Sequence, residues 1–155
     1  EKIMPVQLVL TPCVGLCSTT YGDSVCRGCK RFAHEIVDWN RYVDEQKAAV
    51  IARLSQLMQD VVSRYLLVTD IALLESALSS SGFRYRQDQP AECWAYDLFR
   101  QTKGRIGQLA VCGLARLPQT MSVSGPDLWD AMNQEFLAIS EGHYERFFRQ
   151  MLSFD

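Results

Sequence analysis

The chain has no strong excess of either charge, no apolar run long enough for a membrane span, and only two histidines among its 155 residues. Each shortage removes a class of function. A net charge of −2 argues against duplex nucleic acid as the main partner, because neutralising phosphates supplies most of the affinity of such proteins. The longest apolar candidate, Tyr65 to Leu78, is interrupted by Asp70 and Glu75 and falls short of the roughly 18 residues a spanning helix needs. Glu1 to Leu10 holds an apolar run but no basic n-region and no small-residue cleavage site, so no signal peptide is expected and the cytoplasm is the expected compartment. No GxSxG, P-loop or dinucleotide fingerprint is present, nor is there an internal repeat or a low-complexity linker. His34, just over one turn past Cys29, could be a spare metal ligand, but four thiolates fill a tetrahedral site and it reads as a surface or supporting residue. His143 has no evident partner acid or nucleophile and reads as a surface residue. These shortages argue against an enzyme.

Cysteine, by contrast, is concentrated. Four of six cysteines fall in Thr11-Pro12-Cys13-Val14-Gly15-Leu16-Cys17 and Cys26-Arg27-Gly28-Cys29, a C-x3-C-x8-C-x2-C pattern. In a chain expected to be cytoplasmic, clustered thiols point to metal or redox chemistry rather than to structural disulfides. Two close pairs on two turns can direct four sulfurs at one ion without regular secondary structure. Gly15 and Gly28 suit those turns, and Tyr21-Gly22-Asp23-Ser24 reverses the chain between them. The segment is too poor in large apolar residues to make its own core, and very small modules need a staple. Cys13, Cys17, Cys26 and Cys29 are therefore the candidate metal ligands. Four thiolates on a divalent ion carry a net charge near −2, which the adjacent Arg27, Lys30 and Arg31 would offset. A redox dithiol at Cys26 and Cys29 would leave Cys13 and Cys17 unexplained, and no βαβ pattern surrounds it. Zinc and an iron–sulfur cluster both accept four cysteines; the short loops and few shielding aromatics lean towards zinc. Cys93 and Cys112 stand in apolar surroundings and read as small buried hydrophobes.

Residues 11–54 resemble the YdhL-like bacterial family, a short domain of unknown function described as predicted iron–sulfur proteins. The resemblance is carried by Pro12-Cys13-Val14-Gly15-Leu16-Cys17, Cys26-Arg27-Gly28-Cys29, Arg31, Glu35-Ile36, Trp39, Glu45, Lys47, Ala49-Val50 and Arg53-Leu54. It implies an iron–sulfur protein, and it covers less than a third of the chain. About a hundred further residues extend beyond the family's short pattern.

Those residues read as helices. Phe32, Ile36 and Trp39 share one helical face. Asp44 is a plausible N-cap for a helix with Val50, Ile51, Leu54, Leu57, Met58, Val61 and Val62. Thr69 or Asp70 starts another, with Ile71, Leu74 and Leu78 on one face and Gly82 as its end. Pro90 opens a helix carrying Trp94, Leu98 and Phe99 and ended by Gly104. Ile106 to Leu117 is ambiguous between helix and buried strand. Gly125-Pro126-Asp127 opens a helix through Leu137, and Glu141 to Leu152 reads as a separate last one. Glu1 to Leu10 reads as an extended arm. The expected class is thus mostly α, with a small N-terminal four-cysteine metal-binding module packed on a multi-helix C-terminal body. The expected division is residues 1–43 for the module with its first helix and residues 44–155 for the helical domain.

The functional expectation is a non-enzymatic interaction or adaptor protein. Its metal would shape a docking surface rimmed by Arg27, Lys30, Arg31 and Arg41, with another protein as the partner. The alternative is an iron–sulfur redox or cluster-transfer protein. A weaker one is nucleic-acid binding through the Arg84 to Arg105 segment; from Arg84 to Arg116 six basic residues stand against three acidic ones. There Phe83, Tyr85, Trp94, Tyr96 and Phe99 interleave with Arg84, Arg86, Arg100, Lys103 and Arg105, as in single-strand binders. Their helical spacing favours a core role.

Overall fold

The computed structural model describes residues 11–15 and 17–152; the arm expected at Glu1 to Leu10 lies outside them. The described residues are mostly helical. They contain α1 (Ala33–Asp38), α2 (Asp44–Ser63), α3 (Ile71–Ser80), α4 (Ala91–Thr102) and α5 (Gly125–Leu152), with two short strands, β1 (Leu66–Val68) and β2 (Leu114–Arg116). None of these helices is long and apolar enough to cross a membrane.

The chain forms two compact units. One runs to Leu54 and takes in the chain again from Leu137; the other is Ser55–Phe136. The second is built on the last residues of α2, on α3 and α4, and on the start of α5. Its core holds Met58, Val61, Val62, Leu66, Leu74, Leu78, Phe99, Leu114, Leu128 and Met132, none more than 2% exposed. Tyr96 packs edge-on against Trp129 and Phe136, with ring centroids 5.1 and 5.6 Å apart. β1 and β2 pair antiparallel, Leu66 opposite Arg116 and Val68 opposite Leu114. Ile106 to Leu117 is therefore neither one helix nor one strand: a 3-10 turn at Leu109–Cys112 leads into β2. Gly113 is needed between them. Its φ is 71°, and a Cβ there would stand 2.1 Å from the Asp70 carbonyl oxygen.

Capping explains several helix starts. Asp70 caps α3 by accepting the Leu73 N–H at 3.2 Å, and Ser124 Oγ accepts the Asp127 N–H at 3.1 Å at the head of α5. Asp44, expected as a cap, instead lies in the first turn of α2. The Val43 carbonyl accepts from Gln46 and Lys47, and the Val43 N–H donates to Gln46 Oε1 at 3.0 Å. Ile71, expected on the buried face of α3, is 56% exposed; Leu74 and Leu78 alone turn inward. The two helices expected after Gly125 are one of 28 residues. Gly142 lies inside it with open space where a Cβ would be, and a helix interior tolerates such a glycine at about 1 kcal/mol.

The first unit surrounds Phe32, which is 5% exposed. Tyr144 meets its ring edge-on at 5.4 Å and Phe147 stacks at 6.1 Å. The Arg53 guanidinium sits 4.2 Å over it. Glu35, one turn into α1, binds Arg53 twice, at 2.6 and 2.7 Å, and accepts the Phe32 N–H at 2.8 Å. This fork anchors α1 to α2 beside the cysteine loops.

Candidate metal centre

The second cysteine pair sits in a tight backbone knuckle. Cys26 N–H donates to the Arg31 carbonyl and Lys30 N–H to the Cys26 carbonyl, both at 2.9 Å. Val25 and Phe32 form an antiparallel bridge just outside, and Ala33 N–H reaches the Ser24 carbonyl at 2.8 Å. To close this turn Lys30 adopts the left-handed conformation, with φ of 67°, a sparsely populated region for a residue with a side chain. The first pair is joined to the knuckle through Ser18, whose hydroxyl accepts the Arg27 N–H at 2.8 Å. Gly15, with φ of 91°, turns the chain after Cys13, and its N–H points at Cys13 Sγ from 3.4 Å.

Each of the four sulfurs has a hydrogen-bonding partner. Cys17 Sγ lies 3.1 Å from Thr19 Oγ1, and hydroxyls of Thr19 and Thr20 hold its thiol below the ordinary range. Burial pushes the Cys26 thiol up, but N–H groups of Cys29, Ser18 and Gly28 outweigh it and the net effect is downward. Cys29 is raised by burial, against the pull of Arg31, whose Nε donates to Cys29 Sγ at 3.2 Å. Cys17 and Cys26 feel each other's charge, as do Cys26 and Cys29. Cys13 is exposed. Among the described residues no three or more histidine, cysteine or acidic side chains stand as one group able to hold an ion. All six cysteines are free thiols. In donor chemistry the residues suit a thiolate-bound metal: soft sulfur ligands, with N–H and O–H groups directed at the sulfurs.

The expected basic rim divides. Arg27 and Arg41 are exposed and paired only locally, with Asp23 at 3.3 Å and Asp38 at 3.6 Å. Lys30 and Arg31 are not rim residues at all, at 1% and 4% exposure. Lys30 Nζ turns back onto the Arg27 and Gly28 carbonyls. Arg31 lies 4.8 Å over the Trp39 ring. Beside the knuckle is instead a half-open cleft of about 250 Å³. Val25, Leu137 and Tyr144 supply its apolar lining, with Asp23, Glu141, Glu145 and Arg27 around them. Ser18 and the acidic residues of α5 were not candidates from sequence. The hydroxyl run Ser18-Thr19-Thr20 after Cys17 is a readable sign of sulfur hydrogen bonding; nothing local marks Glu141 or Glu145.

Residues 11–58 match the family model described as Protein of unknown function (DUF1289). The matched segment therefore holds a short domain of unknown function, spanning both cysteine pairs, α1 and most of α2. No curated protein and no solved structure matches the chain.

The other candidates are structural. Trp94, Tyr96 and Phe99 are 9%, 1% and 0% exposed, so these rings are core and are not presented for base stacking. Cys93 is fully buried and pushed up to about 12, chiefly by burial; Cys112 is half-buried. His34 is half-buried and stacks on Phe147 at 5.2 Å. His143 is held below its usual value by burial and by Arg146 and Arg53.

Proposed function

We propose that residues 11–41 form a metal-binding interaction module, with Cys13, Cys17, Cys26 and Cys29 as ligands and another protein as the partner. The observation that carries this reading is the set of donors at the sulfurs: the Arg31 Nε–H 3.2 Å from Cys29 Sγ, the Thr19 hydroxyl 3.1 Å from Cys17 Sγ and the Gly15 N–H 3.4 Å from Cys13 Sγ. A buried thiol that serves only as a small hydrophobe has no use for such a cradle, whereas a metal-bound thiolate is stabilised by it. Four thiolates on one ion would make a closed site, and a closed zinc site has no open position for substrate. That favours a structural metal and a non-enzymatic adaptor. The docking surface is the cleft beside the knuckle, with Arg27 as its basic edge.

The test is metal content and visible absorbance of protein purified without oxygen. Zinc near one per chain and no colour support the adaptor reading. Iron with acid-labile sulfide and broad visible absorbance would replace it with the iron–sulfur redox or cluster-transfer alternative, to which the YdhL-like resemblance also points. Protein that takes up neither metal refutes both.

A further inference from the structure

Arg31 is the most buried guanidinium in the first unit, at 4% exposure. Among the described residues it forms no ion pair with a carboxylate; its side chain touches Cys29 Sγ at 3.2 Å and the Trp39 face at 4.8 Å. Trp39 is itself 7% exposed, so the ring shields this contact from water, and Lys47 Nζ approaches the same ring at 5.9 Å. An arginine keeps its charge under all ordinary conditions. Burying that charge is costly unless an opposite charge meets it. Here the partner supplied is a cysteine sulfur.

We infer that Arg31 is the positioning and charge-balancing residue of the thiolate site: its Nε holds Cys29 in place and its charge offsets part of the negative charge left when four thiolates surround a divalent ion. The inference rests on the metal reading above and adds to it. Neighbouring groups that orient a ligand and neutralise it typically govern affinity by about 10- to 100-fold. The planar fork stacked on Trp39 fixes where the Nε proton points, which a flexible ammonium does not do. Lysine at this position would keep the charge and lose the aim.

The experiment compares full-length wild type with Arg31→Met and Arg31→Lys. Zinc affinity is read by chelator competition, and cobalt(II) substitution reports the sulfur-to-metal charge-transfer band. Arg31→Met keeps an apolar stem against Trp39, so a role in packing alone leaves both readings unchanged. The expected result is a tenfold or greater loss of zinc affinity in Arg31→Met, of the order set by such supporting residues. Its cobalt band moves to longer wavelength, because the sulfur loses a hydrogen bond and a neighbouring positive charge. Arg31→Lys falls between the two proteins. If Arg31→Met does not fold even with metal, Arg31→Lys decides: reduced affinity with a shifted band supports the inference. Wild-type affinity and an unshifted band, in Arg31→Met or in a deciding Arg31→Lys, overturn this inference alone. A wild-type protein that binds neither zinc nor cobalt overturns the metal reading and this inference with it.

Discussion

The Glu35–Arg53 fork makes a quantitative prediction because its two ends are unequally buried. The Glu35 side chain is 6% exposed and that of Arg53 27%. Replacing Arg53 with methionine strands a buried carboxylate that retains only the Phe32 N–H. Breaking a buried pair in this way costs about 3–5 kcal/mol, and the partial exposure of Arg53 places the expectation near the lower end, about 3 kcal/mol. Glu35→Gln leaves a guanidinium that still reaches water, while the amide oxygen keeps the Phe32 N–H; about 1–2 kcal/mol is expected. The double variant Glu35→Gln with Arg53→Met removes both charges, keeps the bond from the Phe32 N–H and costs about 1 kcal/mol, mainly for the amide N–H left without a partner. The single changes are therefore strongly non-additive. Urea unfolding of the four proteins in one buffer measures the cycle. In thermal melts the Arg53→Met loss is about 6–12 °C, at roughly 2–4 °C per kcal/mol for a chain of this size. An Arg53→Met variant no less stable than Glu35→Gln, or single effects that simply add in the double variant, refutes the argument from unequal burial.

Three further outcomes are expected. Gly113→Ala should cost about 2 kcal/mol or more, since it adds a Cβ at positive φ against the Asp70 carbonyl; Gly142→Ala, in open space within α5, should stabilise by about 0.5–1 kcal/mol. Equal effects at the two positions in thermal melts would contradict the contrast. Burial raises the Asp97 carboxyl above its ordinary 3.8 against the pull of Arg86 and Arg100. The folded state then holds a proton that the unfolded state has released, so its contribution to stability falls as pH rises through that window. The stability gap between wild type and Asp97→Asn should accordingly move in favour of Asn as pH climbs above 3.8; a gap independent of pH refutes this. In a timed alkylation of native protein read by mass spectrometry, exposed Cys13 should be labelled early and Cys93, buried and pushed up to about 12, last. Labelling of Cys93 alongside Cys13 would refute its burial.

What was legible in the sequence was local. The cysteine pairs, the helix after them, the Asp70 cap and the core of α4 all follow from spacings of a few residues. The two strands were hidden because each has three residues, too short for alternation to declare itself. The inward turn of Lys30 and Arg31 was missed because charge normally predicts exposure; here carbonyls, a sulfur and an indole face supply the partners. The break expected between Leu137 and Glu141 does not form: no proline interrupts the segment, and the helix continues through Ser140 and Gly142. The cleft was invisible for a different reason: its walls are contributed by residues 23–27 and 137–145, and no local pattern connects them.

The setting of Phe32 has a consequence for the order of events during synthesis. Tyr144 and Phe147, which close over its ring, leave the ribosome more than a hundred residues after it. At about 5–20 residues per second the cysteine loops wait on the order of 5–20 seconds before their aromatic cover exists. During that interval the knuckle is held by contacts within the first 53 residues: the backbone bonds of Cys26, Lys30 and Ala33, the Ser18 hydroxyl on the Arg27 N–H, and the Arg53 guanidinium over Phe32. The nascent segment is thus open to solvent and to small ions while it is being made, and the late arrival of α5 seals one side of it.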